Sequence, residues 1–167
     1  MAESESQSII YHSALISDNM NFPDERIMQF INEHHVLTLA VSNNNIPWCA
    51  SCFYVYLKES NLFVLTSGHD TRHIKDFLLN QEKQVAGTIA LETKITGKIR
   101  GIQFSGIMYE LTGKSLSHGK KAYLEKFPIA RLSKLTLWRI EPYYLKMTDN
   151  RLGFGKKLIW NKIKLPF

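Results

Sequence analysis

The sequence predicts a mainly β chain, an antiparallel barrel with helices added to it. Three observations carry that reading: short runs of β-branched and aromatic residues alternating with polar ones, polar turn clusters joining these runs in hairpin order, and helical spacing in only three segments. The first helix opens at Pro23, Asp24 and Glu25, a proline and two acids at its start, and Ile27, Phe30, Ile31 and His34 then share a face. It should stop near His34 and His35. Residues 36–42 read as a strand, Asn43, Asn44 and Asn45 as a tight turn, and 46–57 as the hairpin partner. Lys58, Glu59, Ser60 and Asn61 turn the chain into a further strand over 62–66. After Thr66 the period changes: Ser67, Gly68, His69 and Asp70 form a loop and cap signal, and Ile74, Phe77 and Leu78 recur at helical spacing up to Asn80. Strands follow over 84–91 and 99–111, the second carrying Gly101 and Gly106 where a barrel strand bulges or bends. A short helix over 120–127 and strands over 135–140, 144–147 and 157–160 complete the pattern.

With 167 residues, 44% of them hydrophobic, the chain can fill one core, and it shows no linker, repeat or low-complexity block. Residues 1–20 are expected to be a flexible arm and 21–167 a single domain. A net charge of +6 favours anionic partners without choosing among nucleotide, nucleic acid and membrane surface. The polar, acidic amino terminus and the absence of eighteen consecutive apolar residues lead to the expectation of a soluble cytoplasmic protein with no membrane role. Cys49 and Cys52 lie in an apolar run that reads as strand, which would turn them to opposite faces, so neither a redox pair nor a metal site is expected. His69 and His73 are four apart but lack a third ligand. No G-x-S-x-G or Walker-type loop is present, which leaves hydrolase and triphosphatase chemistry unsupported.

Four stretches could carry function. In 149–160 an Asp-Asn turn is followed by Gly153, Phe154, Gly155, Lys156 and Lys157; this suits either the margin of a ligand site or a glycine-rich turn into a strand with a solvated basic edge. Thr66, Ser67, Thr71, Arg72 and His73 surround a strand end and a helix start, where hydroxyls, free N–H groups and a guanidinium complement a phosphate monoester; a capped helix with Arg72 in solvent is the plainer alternative. Trp48, Cys49, Ala50 and Ser51 put small residues on a strand along which a planar ring could lie, though ordinary hairpin packing explains them equally. Gln103 sits on the small, polar face of its strand, able to donate to a carbonyl or accept from a ring N–H, or to be a buried structural amide. Arg151, Lys156, Lys157, Lys162 and Lys164 are basic, but without a strand-borne aromatic platform they make nucleic-acid binding unlikely.

In order along the chain, Trp48-Cys49-Ala50, Thr71-Arg72-His73, Val85-Ala86-Gly87-Thr88, the run from Ile99 through Gly106, Lys121-Ala122-Tyr123, Phe127-Pro128-Ile129-Ala130-Arg131 and the block from Thr148 to Trp160 resemble the flavin-binding split-barrel superfamily typified by pyridoxamine-phosphate oxidase. The last block is specific to the narrower, uncharacterised YhbP-like family. The resemblance implies a six-stranded antiparallel split barrel, a homodimer, and FMN held in a groove between the subunits. It implies a phosphate site at Thr66, Ser67 and Arg72 with His73 beside them. Ring contacts would come from Trp48, Cys49, Ala50, Ser51 and Gln103, and a carboxy-terminal margin from Phe154, Lys156 and Lys157. The oxidase pattern also has an arginine and a lysine on the ring-contacting strand and an arginine-histidine pair near the carboxy terminus. Here Cys49, Ala50, Ser51 and Cys52 stand in the first place and Leu165, Pro166 and Phe167 in the second, which argues against pyridoxamine phosphate oxidation. The resulting expectation is an FMN-dependent oxidoreductase of unidentified small substrate with no assigned catalytic side chain, or else a non-catalytic flavin- or haem-binding protein.

Overall fold

A computed structural model describes residues 22–153 and 155–162. The expected arm lies outside these residues, as do Phe154 and Lys164. Ten elements follow one another: α1 (Glu25–Glu33), β1 (Val36–Asn43), β2 (Ile46–Leu57), β3 (Leu62–Thr66), α2 (Arg72–Leu79), β4 (Gln84–Ala90), β5 (Arg100–Glu110), α3 (Gly113–Lys126), β6 (Leu137–Asp149) and β7 (Lys157–Asn161), with single 3-10 turns between some of them.

Local chemistry accounts for the boundaries. Asp24 caps α1 by accepting from the Arg26 N–H at 2.9 Å. His34 ends that helix in extended conformation rather than continuing its apolar face, and its Nδ1 lies 2.7 Å from the Phe30 carbonyl oxygen. Asn44 and Asn45 both adopt left-handed backbone, with φ of 49° and 62°, and Asn43 pairs directly with Ile46; this is the two-residue hairpin turn whose twist matches the flanking strands. In α2, Ile74 and Phe77 are buried but Leu78 is 45% exposed, so the apolar face is narrower than the spacing predicts.

Two expectations are corrected. The predicted short helix starts seven residues earlier, at Gly113, because Gly119 is used for contact: a Cβ there would come within 2.6 Å of Leu111 Cδ1. The two strands expected over 135–140 and 144–147 are one strand, β6, which runs through Pro142. Pro142 is tolerated because the pairing shifts there. Ser105 faces Tyr144 while Gly106 faces Pro142, which leaves Tyr143 as the extra residue of a bulge. Gly106 is required on the other side, since a Cβ would sit 2.7 Å from the Glu141 carbonyl oxygen.

The sheet order is β3-β2-β1-β4-β5-β6-β7, and β3 also pairs with β6. Six strands therefore close into the expected split barrel, and β7 adds a seventh along the far half of β6. The interior is a single apolar core in which Leu39, Tyr54, Phe63, Phe104, Trp138 and Leu145 meet under Ile27, Phe30 and Ile31 of α1. Each such side chain contributes about 1.5–3 kcal/mol by leaving water. A second, smaller core lies outside the barrel wall, where α3 packs Tyr123 onto Val64, Leu111 and Leu137. No described helix is long and apolar enough to cross a membrane.

Candidate functional site

The register of the sheet decides which expected residues meet. Across the outer face of the barrel one row runs Ser51, Thr38, Thr88, Gln103, Lys146, and the next runs Cys49, Ala40, Ala86, Ser105, Tyr144. Gln103, three strands along from Ser51, thus occupies the same row, about 14 Å away at ~4.8 Å per strand. Cys49, Ser51, Ala86, Thr88 and Gln103 are exposed, and Thr38, Ala40 and Ser105 are half-buried; Ala50, expected beside a ring, pairs with the buried Leu39 and packs against the core on the inner face. The row is a shallow lane of small side chains on which a flat group can approach the backbone. Thr38 and Ala40 were not singled out in the sequence, and Ala86 and Thr88 entered only as part of the resemblance, without a site role. The signal for them is the alternation within β1 and β4, where every second outward residue is Ala, Thr or Ser. Cys52 turns into the core, where burial pushes its thiol up to about 11, while Cys49 is exposed on the outside. The two cysteines point to opposite faces, as the strand reading requires.

The start of α2 meets the other face of β2. Trp48, paired with the buried Val41 and so on the core side of the strand, is 39% exposed, and the Arg72 guanidinium lies over its ring with Cζ 3.8 Å from the centroid. Asp76, one turn on, holds Arg72 loosely, with Nε to Oδ2 at 3.5 Å. Thr71 caps α2 by position, yet its side chain makes no capping bond, so the amide donors of the first turn are not satisfied by their own cap. Its hydroxyl instead donates to the Gly68 carbonyl at 2.8 Å.

Ser67 Oγ lies 3.1 Å from Thr71 Oγ1 and 2.7 Å from His73 Nε2. His73 is half-buried, and desolvation keeps its pKa below the ordinary histidine value, so near neutrality it is an uncharged partner for the serine. The loop is anchored from beneath by Trp138, whose Nε1–H donates to the Ser67 carbonyl at 2.8 Å. Thr66 departs from the expected arrangement: its hydroxyl donates to the Thr136 carbonyl at 2.9 Å and thereby fastens β3 to the segment before β6. Of the phosphate-site candidates, Ser67, Arg72 and His73 are therefore better disposed toward a ligand than Thr66.

The carboxy-terminal margin lies elsewhere in the same chain. Lys157 pairs with Thr148 near the far end of β6, whereas Thr66 pairs with Leu137 at its beginning. Those ends are roughly 40 Å of strand path apart. Lys156 and Lys157 are exposed, between Gly153 and Gly155 with left-handed or related φ and the start of β7. Within one subunit they do not join Ser67 and Arg72. Among the described residues no cluster of three or more His, Cys, Asp or Glu side chains is placed to hold a metal ion.

No protein-family model matches the chain. A UPF0306 protein of Yersinia pseudotuberculosis is 40% identical over 148 residues, covering 87% of this chain and 99% of the relative. Among solved structures, a heme binding protein from Mycobacterium smegmatis superposes with a TM-score of 0.69 at 15% identity, over 83% of this chain and 59% of the other. An FAD binding protein from the same organism gives 0.61 at 9% identity, over 81% and 95%. At such identities the structural likeness establishes the split-barrel fold.

Proposed function

This chain belongs to the UPF0306 protein family, and from that premise we propose that it binds FMN as a homodimer and acts as a flavin-dependent oxidoreductase on a small substrate. The observation that carries the reading is the pairing of Arg72, at the start of α2, with Trp48, on the strand whose opposite face carries the small residues Cys49 and Ser51. A phosphate at α2 would meet the first-turn amides, the Ser67 hydroxyl and the Arg72 guanidinium, with Asp76 and the Asp70 carboxylate beside Gly68 as the neighbouring anions. A ring laid on the outer face along Cys49 and Ser51 would meet no large outward side chain before Gln103, whose amide can donate to a carbonyl or accept from N–H. These residues fit a phosphorylated planar cofactor. Bound FMN would supply hydride or single-electron transfer, and the protein would contribute position, hydrogen bonds and exclusion of water.

The second subunit enters for a geometric reason. The lane is open on its outer side, and Lys157, whose partner Thr148 is two residues beyond the Lys146 that pairs with Gln103, borders its Gln103 end without covering it. A two-fold partner laid on the same face would cover the lane, and its own carboxy-terminal margin would become the second wall. Light scattering is expected to show a dimer at micromolar concentration.

A non-catalytic flavin- or haem-binding protein is the second reading, supported by the haem-binding protein among those of like fold. The absorption spectrum of protein purified without added cofactor separates the cases, since flavin bands near the blue and an intense haem band are distinct. FMN titration of wild type and Arg72→Ala then tests the site: the variant should bind more weakly by roughly 1.5–3 kcal/mol, the scale of a charge-assisted hydrogen bond. Equal affinities remove Arg72 from the site. Anaerobic bleaching of the bound flavin by NADH or NADPH supports the oxidoreductase, and its failure with both favours the binding protein.

A further inference from the structure

The stretch beginning at Asp149 borders a pocket that the flavin reading leaves unused. It lies between α1, the first residue of β5 and the turn after β6, has a volume of about 100 Å³, and is lined by Arg26, Gln29, Phe30, Glu33, Arg100 and Arg151. Two of its walls are the same device used twice. In Asp24-Glu25-Arg26 the aspartate accepts from the Arg26 backbone N–H at 2.9 Å, from Nε at 2.8 Å and from Nη2 at 2.6 Å. In Asp149-Asn150-Arg151 the aspartate accepts from the same three donors at 3.0, 3.0 and 2.7 Å. Each carboxylate grips one edge of a guanidinium and leaves Nη1, on the other edge, without a hydrogen-bond partner among the described residues. Asp149 is only 2% exposed, so its clamp is built into the wall rather than laid on the surface.

The third guanidinium, Arg100, is short of partners. Its side chain is largely buried beside the Phe30 ring, its Nε has no hydrogen-bond partner, and its closest carboxylate, Glu33, is 3.6 Å away. Glu33 is meanwhile engaged by Gln29 Nε2 at 3.0 Å. A buried guanidinium donor without an acceptor costs free energy, and an acceptor entering the pocket would recover it. The space suits a small group: about 100 Å³ is roughly three water volumes.

We propose that this pocket binds a small oxyanion, a carboxylate or phosphate group, held among Arg26, Arg100 and Arg151. Asp24 and Asp149 behind the two clamps and Glu33 in the wall together balance the three arginine charges, so recognition rests on oriented N–H groups, which favours planar or tetrahedral oxygen acceptors over halide. Arg100 and Asp149 face each other at the end of β6 remote from Ser67 and Arg72, so this ligand is independent of any flavin bound there.

The test follows thermal unfolding of the full chain during titration with sodium phosphate and, separately, sodium acetate, each against sodium chloride at equal ionic strength. A saturable rise in Tm absent with chloride is expected. Arg26→Ala, at an exposed position, and Arg100→Gln should each raise the half-saturating concentration at least about tenfold, the loss of one charge-assisted hydrogen bond. Arg72→Ala should leave it unchanged. A rise with phosphate alone assigns a phosphate-bearing ligand, and one with acetate alone a carboxylate. No saturable rise with either anion overturns the proposal, as does a rise that survives both substitutions or one that is lost in Arg72→Ala.

Discussion

The two outer faces of the barrel differ in what they offer and in what covers them. Over β3, the second half of β2 and the start of β6, the outward residues are Val55, Leu57, Val64 and Leu137, and α3 covers them with Tyr123, Leu116 and Phe127. Over the first half of β2, β1, β4 and β5, the outward residues are Cys49, Ser51, Thr38, Ala40, Ala86, Thr88 and Gln103, and no described helix covers them. Large branched side chains mark the face that the chain satisfies itself. Small and hydroxylated ones mark the face left for another body, whether ligand or second subunit, because they permit close approach without leaving a large apolar patch in water.

Substitutions can break or sharpen this contrast. The largest effect should come from Tyr123→Ala, which removes the ring that joins α3 to the wall and leaves a cavity. Urea unfolding should show a loss of about 3–5 kcal/mol, and a loss below about 1 would mean that α3 is a loose addition. Gly119→Val should cost less, about 1–3 kcal/mol, because its Cβ would press on Leu111 and force α3 outward; an unchanged urea midpoint would show that Leu111 yields freely.

The rim between the two faces should report itself through pH. Burial holds the His73 imidazole below its ordinary value, so the unfolded chain binds the proton first as pH falls. The stabilisation is fully present above about 6.5, the unfolded value, and is lost as pH drops from there through the lower folded value. Comparing wild type with His73→Gln at pH 7.5 and 5.5, the variant should show the shallower decline; parallel declines would assign the pH dependence to other groups. The smallest effect on folding should be that of Ala86→Arg, within about 0.5 kcal/mol, since the position is exposed on the bare face. The same change should convert the proposed dimer to monomer in light scattering, and a variant that stays dimeric moves the interface off β4.

Much of this organisation was legible in the sequence where the signal is local. The strands β1 to β5 followed from alternation and from turns whose residues accept left-handed backbone, Asn44 and Asn45 above all. The Ser67 to His73 cluster was legible for the same reason, since its members lie within one loop and one helical turn. What stayed hidden depends on contacts distant in sequence. Gly113, Ser115, Ser117 and Gly119 read as poor helix formers, yet α3 forms there, with Gly119 buried against Val64 and Leu111. Pro142 read as a strand break until Gly106 stood opposite it. The hydroxyl of Thr66 looked available, but its partner, the Thr136 carbonyl, comes from a distant segment. The arginine pocket draws on three elements at once, and only the repeated Asp-x-Arg pattern at 24–26 and 149–151 could have hinted at it.

The closing ladder of the barrel has a bearing on how the protein is made. Phe63 pairs with Ile140 and Thr66 with Leu137, so β3 waits for a strand synthesised more than seventy positions later, and β5 waits for that same strand along its whole length. While the chain emerges from a ribosome, β3, β2, β1, β4 and β5 can zip together as neighbours, but the two flanks of that sheet, β3 and β5, remain unpaired until β6 clears the exit tunnel. Nascent chains stalled before that strand should expose both flanks to chaperones and to one another, and the vulnerable interval ends with the release of β6 rather than with any earlier hairpin.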